Sequence, residues 1–403
     1  MIMQTGTQRK RRAQRLRRLY EAAKRDGNEE RFFDDLRRGL AEKQISPADF
    51  SIRSLFESFC EDGREIVDSW GPQNEGGQIA LHEAGSAVET SAFTQITGQI
   101  VFETVLEAYQ NPSLISDILS PPRDTRFDGE KVPGIGQIGD DVAVVDEGEN
   151  YPRVGLTQEW IETPRTTKRG YIVPVTREAV FFDRTGVILD RARDTATWLA
   201  VNKEKRVLDV ALGVTDAYNY KGNAITSYGN SSGNHDWDNL QASNALQDWS
   251  DIENALVLFD GITDPVTGEP VDVIGSLQLV VPSALLMTAL RITGATEVRE
   301  TTNTNTTSLS ANPLSGQMVN GRPMAIEVVS NAYVKARTSS ATTWFLGDFR
   351  RAHRYGQNWP ITTVVAPPNS NDEFQSDIVQ QFKVSERGAA EVHDPRRVVK
   401  CTA

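Results

Sequence analysis

Residues 142–176 read VAVVDEGENYPRVGLTQEWIETPRTTKRGYIVPVT. Val142, Val144 and Val145 are strand-like, and Tyr171-Ile172-Val173-Pro174-Val175 is a second extended run. Between them lies an acidic, turn-rich centre, Asp146-Glu147-Gly148-Glu149-Asn150-Tyr151-Pro152, followed by Trp160-Ile161. Two extended runs around a turn predict a long hairpin-like excursion. Pro174 has no N–H to give a ladder, so the return strand belongs at a sheet edge. An isolated pair of strands is marginal in water, so the excursion needs a support, and a neighbouring subunit supplies one.

The chain then becomes helical. Thr176 opens a stretch over Arg177 to Asp183. After Gly186, a long stripe of Ile188, Ala192, Ala196, Leu199, Val207, Leu208, Ala211 and Leu212 predicts a helix that Gly213 ends. At 1.5 Å per residue it is about 40 Å long.

The chain has 403 residues, enough for two or three domains. Apolar residues make up 38%, a low share that suggests much polar loop, extended arm or inter-subunit surface. Lys and Arg total 43 against 55 Asp and Glu, a net charge of −12, which excludes a general nucleic-acid binder. The two cysteines, Cys60 and Cys401, are far apart, so neither a disulfide framework nor a Cys-based zinc site is expected, and reduced thiols in a cytoplasm are. No apolar run reaches membrane-span length, and the N-terminus lacks the apolar stretch of a signal peptide.

Residues 1–75 differ from the rest. A basic run includes Arg11, Arg12, Arg15 and Arg18, with Leu16, Leu19, Tyr20 and Ala23 at helical spacing. Phe32, Phe33, Leu36 and Leu40 mark a second helix. Ser46-Pro47 reads as the cap and first turn of a third, running through Phe50 and Phe59. These are expected to be short charged helices with little core of their own. The basic run reads as an interaction arm for an acidic partner, with a solvated helix face and a nucleic-acid contact as the alternatives. Residues 71–90 read as a Gly-rich arm or linker, and Phe93 to Tyr109 as a helix.

The second half mixes elements in the α+β manner. Residues 214–250 read as a long polar loop and 294–316 as a mobile Thr/Asn-rich loop. Helices are expected over 252–259 and 283–290. Strands are expected over 277–282, 326–329, 343–346, 361–365, 380–384 and 396–400.

Chemistry is sparse. Residues 134–139 match the dinucleotide pattern G-x-G-x-x-G, but Pro133 precedes them and Asp140-Asp141 follow, where a phosphate site needs a strand and a helix N-terminus. His82, His235, His353 and His393 have no metal-site spacing. No catalytic residue, metal ligand or cofactor is expected.

The excursion and its sequel carry a resemblance. Residues 144–152 look like an acidic loop tip with a "E-G-x-x-x-P" pattern, Gly170 to Glu178 look like its return strand, and Asp183 to Leu212 look like a spine helix. Glu386 to Lys400 look like a closing strand with an "R-x-A-x-x-x-x-x-P" pattern. In this order they resemble the major capsid proteins of tailed double-stranded DNA bacteriophages with the Hong Kong 97-type capsid fold. The resemblance covers about residues 140–403.

It implies an α+β fold with a peripheral domain, an axial domain, an extended loop, an N-terminal arm and a spine helix. Residues 1–75 would be a charged, scaffold-like helical extension inside the shell, 76–120 the arm and helix, and 121–175 the extended loop. Residues 176–250 would be the peripheral domain with the spine helix, 251–345 the axial domain, and 346–403 the remaining strands. The implied function is self-assembly, through hexamers and pentamers, into an icosahedral shell around phage DNA, without catalysis. Glu147, Glu149, Tyr151, Trp160 and Lys168 are the candidate inter-subunit residues of the loop. Because residues 142–162 contain no lysine, covalent cross-linking between loops is not expected. Implied partners are copies of the chain, with portal, maturation protease and decoration proteins, and non-specific packaged DNA; no membrane is involved. The location is the virion, after synthesis in the host cytoplasm. The alternatives are an encapsulin-type bacterial compartment, disfavoured by the long charged extension, and an α+β enzyme with an unrecognised site.

Overall fold

Buried apolar strands and amphipathic helices meet here in an α+β fold, as expected. The computed structural model describes residues 6–60, 62–69, 87–110, 113–134, 144–148, 150, 160–215, 218–230, 237–264, 268–271, 276–301, 307–312, 314, 318–319, 322–323, 325–366 and 377–403. The chain divides into two units. One comprises Met1–Asn111, Lys168–Ala200 and Trp359–Glu386, and the other Pro112–Thr167, Val201–Asn358 and Arg387–Ala403.

In the first unit the N-terminal helices are part of a core, which corrects the expectation that they have little of their own. Helices Gly6–Arg25, Glu29–Ala41 and Ile52–Phe59 bury Tyr20, Leu36, Leu40, Leu55 and Phe59. These join Phe93, Ile96 and Val101 of helix Ala87–Tyr109, and Ile188 and Leu199 of helix Thr185–Ala211. Aromatic edges lock the cluster: Tyr20 lies 5.6 Å from Phe32 and 6.0 Å from Phe59, and Phe56 meets Phe93 edge-on at 5.5 Å. Such pairs contribute beyond their buried area. The dense surface charge of this segment masked its aromatic inner faces.

The third helix also starts later than expected. Ser46-Pro47 opens only the 3₁₀ turn Pro47–Asp49. Ser51 is the cap: its Oγ accepts from Ser54 N at 3.1 Å and donates to Asp183 Oδ1 at 2.7 Å. Thr176 caps Arg177–Phe181 as expected. Helix Thr185–Ala211 has 27 residues. It ends at Gly213, whose φ of +61° is the left-handed stop, and Tyr228 Oη donates to the buried end carbonyl of Ala211 at 2.6 Å.

Strand Thr167–Thr176 lies at a sheet edge, beside Ile378–Val392, which in turn pairs with His353–Val365. The edge position of Pro174 is therefore as its chemistry requires. The expected partner strand is not. Residues 144–146 are not in a strand, and residues 142–143 lie outside those described. The base of the excursion is instead Lys131–Pro133 paired antiparallel with Trp160–Glu162, and the latter pairs with Tyr218–Tyr220. Backbone pairing partners at long separation leave no local signal in the sequence, so this register is set only by folding.

The second unit is organised by a five-stranded sheet in the order Ala325–Ser330, Ser276–Val281, Trp344–Gly347, Val398–Cys401, Leu240–Gln241. Its central strands are buried on both faces, hence the unbroken apolar runs. Side chains alternate between two cores. Leu277, Leu279, Val281, Trp344, Leu346 and Val399 point to one, shared with Ile252, Ala255 and Phe259 of helix Trp249–Asp260. Val280, Phe345 and Val398 point to the other, with Leu208, Leu212 and Phe349.

Two expected loops carry structure. Within 214–250, Tyr218 and Trp237 are buried and the Asn239 amide donates to Ser227 O at 2.8 Å and Pro395 O at 3.0 Å. Within 294–316, Glu297–Thr301 pairs antiparallel with Thr307–Ala311. Asn312 anchors that hairpin by donating to Ile292 O and Ala295 O at 2.8 and 2.7 Å. Polar composition hid both, because these polar groups are satisfied by backbone rather than by water.

Candidate functional site

Among the loop candidates, Glu147 is exposed on a turn that Gly148 makes at φ +91°. Neither Glu147 nor its neighbour Asp146 has an ion pair or hydrogen bond among the described residues. Glu149 and Tyr151 lie outside those residues, as do most of the G-x-G-x-x-G stretch, His82 and His235. Trp160 is half-buried on its strand. Lys131 Nζ sits 3.7 Å from its ring centroid, a cation–π contact, and Lys221 N donates to its carbonyl at 3.0 Å. Lys168 is exposed on the edge strand. Glu147 and Trp160 are not brought into contact.

On helix Gly6–Arg25, Arg12 is paired with Asp49 at 2.6 Å and Lys10 with Glu57 at 3.5 Å. Arg11, Arg15 and Arg18 are exposed and have no ion-pair partner among the described residues. The helix thus uses part of its charge to dock on its own unit and leaves the rest outward.

Two surfaces went unnoticed in the sequence. The first is a groove of about 490 Å³ in the first unit, lined by Tyr171, Ile172, Val173, Pro174 and Trp198 together with Arg191, Asp194 and Thr195. Trp198 is 64% exposed, unusual for the largest apolar side chain on a helix. The second is a cleft of about 620 Å³ in the second unit. It is lined by Arg123, Arg350, Arg351, Arg354, Arg396 and Arg397, with His353, His393 and Asp394. The clusters Phe349-Arg350-Arg351-Ala352-His353-Arg354 and Asp394-Pro395-Arg396-Arg397 were the available signal; only folding joins them.

The cleft floor is an ion network. Arg396 Nε donates to Asp394 Oδ1 at 2.9 Å and Arg396 Nη1 lies 3.4 Å from Asp264 Oδ2. Arg354 Nε pairs with Glu391 at 2.6 Å and Arg397 Nε with Asp394 at 3.0 Å. His353 is fully buried against the Phe349 ring, 5.7 Å between centroids. Burial pulls its pKa down to about 4, against the pull of the Phe349 carbonyl and Asp394. The unfolded chain titrates at the ordinary value of 6.5. Between those two values the unfolded chain takes up a proton that the folded chain refuses. This share of stability is therefore intact above pH 6.5 and is lost as pH falls to about 4. The loss is about 3 kcal/mol. Denaturant titrations at pH 7 and pH 4.5 should show a smaller difference in His353→Phe than in the parent; an unchanged difference would contradict this assignment.

Elsewhere, Glu204 is buried and accepts from Ile115 N and Ser116 N at 3.1 and 2.8 Å. Desolvation raises its pKa even so. With Lys203 Nζ on Asp117 at 2.7 Å, it pins the segment entering helix Ser116–Leu119, a structural task. Among the described residues no group of three or more His, Cys, Asp and Glu side chains is placed to hold a metal ion. Among them, too, no helix is long and apolar enough to cross a membrane.

The family described as phage capsid protein matches residues 159–401, more than half of the chain. The chain belongs to that family, and its role is to assemble with copies of itself into the shell of a virion. No curated protein sequence matches it. Among solved structures, it is similar to the virus-like particle from Pyrococcus furiosus at 11% identity, covering 75% of this chain and 96% of that one, TM-score 0.37. The capsid of the native GTA particle is similar at 10% identity, 72% and 90% coverage, TM-score 0.41. The cyanophage Pam1 capsid is similar at 11% identity, 70% and 88% coverage, TM-score 0.42.

Proposed function

We propose that this chain is the major subunit of an icosahedral phage head of the Hong Kong 97-type plan, with hexamers and pentamers of itself enclosing double-stranded DNA. The family match over residues 159–401 carries the reading. The exposed Tyr171, Ile172 and Trp198 support it, since a subunit that stayed alone would leave this apolar surface in water. In this reading residues 121–175 form an extended loop reaching a neighbour, with 76–120 as the arm. Residues 176–250 form the peripheral domain with helix Thr185–Ala211 as its spine, 251–345 the axial domain, and 346–403 the remaining strands. Residues 1–75 serve assembly from inside the shell. Their described part, residues 6–60 and 62–69, packs within its own unit, so this scaffold-like segment would act from a fixed position on that unit. Arg11, Arg15 and Arg18 offer packaged DNA a non-specific, salt-dependent contact. The chain works as a structural subunit rather than an enzyme. Portal, maturation protease and decoration proteins are its further partners, and it is made in the host cytoplasm.

Size-exclusion chromatography and electron microscopy of the purified chain test this reading. Capsomers or closed shells are expected; a persistent monomer at high concentration would overturn it. In the same assay Trp160→Ala should weaken assembly by about 2 kcal/mol per contact, as aromatic anchors at interfaces do. Its circular dichroism should stay that of the parent. If secondary structure and assembly fall together, Trp160 serves only its own subunit.

A further inference from the structure

The arginine-lined cleft and the acidic turn at residues 144–148 are complementary, and each is incomplete within one chain. In the cleft, the Arg123 side chain makes no hydrogen bond or ion pair among the described residues, its backbone being paired in the sheet. Arg351 reaches Asp348 at 3.4 Å but is 70% exposed, and Arg350 reaches Glu327 at 3.0 Å with both side chains about half exposed. These three guanidinium groups keep donors to spare, because each has five in a planar fork.

The cleft also holds an unmet buried donor. His353 lines it, is 1% exposed, and neither ring nitrogen has a hydrogen-bond partner; the Phe349 carbonyl is not in bonding geometry. His393 Nδ1 is likewise without a partner. Burial lowers the His393 pKa, and Arg354 and Arg123 lower it further against the pull of Asp394. Six arginines line this space despite the net charge of −12 on the chain. A buried neutral imidazole without a partner is costly unless an acceptor arrives.

The turn supplies acceptors. Val144 is 91% exposed, Asp146 and Glu147 are exposed, and Gly148 fixes the bend. Carboxylates on a projecting turn fit forked guanidinium groups in a concave site. The cleft volume suits several side chains rather than one ion.

We propose that the arginine-lined cleft receives Asp146 and Glu147 from the acidic turn of a neighbouring copy of this chain. The pairing rests on the shell-forming reading above and names the receptor for its extended loop. Each copy carries both halves, so the contact is head-to-tail and can be repeated around a ring. Duplex DNA fits less well. Glu327, Asp348, Glu391 and Asp394 stand around the arginines and repel a continuous polyanion, whereas two carboxylates on one turn can pass between them. Opposite charges at such a contact set partner choice and register.

A charge swap tests the pairing. Asp146→Lys with Glu147→Lys reverses the turn, and Arg123→Glu with Arg351→Glu reverses the cleft. All four replaced side chains are exposed, and circular dichroism should match the parent for both. Each reversal alone should lower the yield of sedimenting shells about tenfold or more. The chain carrying all four changes should recover most of the parent yield. Parent-like yield from either reversal, or no recovery in the combined chain, overturns the pairing while leaving shell formation intact. So does a cleft reversal that assembles normally but no longer retains DNA, since the cleft would then serve nucleic acid. A parent chain that forms no assemblies overturns the shell reading together with the pairing.

Discussion

Replacing Arg396 with alanine should destabilise the second unit by about 3–5 kcal/mol, because it takes a cationic partner from two buried carboxylates, Asp264 and Asp394. The Arg396 side chain is 4% exposed and that of Asp264 0%. Burial opposes the arginine's charge, but Asp394 and Asp264 outweigh it and raise its pKa. Without the guanidinium, Asp264 loses that ion pair, and Asp394 keeps Arg397 at 3.0 Å. The two acids would then take up protons or draw water inward. Urea titration followed by tryptophan fluorescence gives the measurement. A loss under about 1 kcal/mol would mean the network contributes as little as a surface pair does. A companion variant, Arg396→Met with Asp264→Asn, removes charge from both sides and should recover a large part of the loss, since an uncharged pair needs no counter-ion.

Trp344→Ala is expected to cost about 4–5 kcal/mol through a cavity and a lost hydrogen bond. Trp344 is fully buried in the central sheet, and its Nε1 donates to Asn244 O at 2.8 Å. Asn244 in turn donates from Nδ2 to Asp251 O at 3.0 Å and from its backbone N to Thr402 O at 2.7 Å, so one indole steadies both a helix start and the chain's last residues. Trp344→Phe keeps most of the volume and should cost about 1–2 kcal/mol. Thermal unfolding of the three chains should rank them parent, Phe, Ala. If Phe and Ala were equal, the hydrogen bond rather than the ring volume would dominate.

The sequence revealed those elements whose cause is local. Thr176 capping a helix, Gly213 stopping one, the run Leu277 to Val281 and the edge position of Pro174 each follow from a residue's own chemistry. What it hid depends on distant partners. Trp160–Glu162 pairs with Lys131–Pro133 across an acidic turn, and nothing near either strand names the other. The core beneath residues 6–69 was hidden because Tyr20, Phe56 and Phe59 alternate with so many charges that composition suggested an exposed segment. The candidate site divides the same way. Glu147 was visible as part of an acidic turn, whereas the cleft draws Arg123, Arg351 and Arg397 from three stretches that only folding brings together.

The edge strand Thr167–Thr176 bears on a hazard that any abundantly made sheet protein faces. An uncovered edge offers its backbone to the next copy, and a crowd of identical edges can zip into fibres. Here the row of N–H donors is interrupted at Pro174, and Lys168 and Arg169 place like charges where a second identical strand would lie. Copies are left to recognise one another through side chains, whose fit is finite and closes on itself, and not through backbone, whose pairing has no natural end.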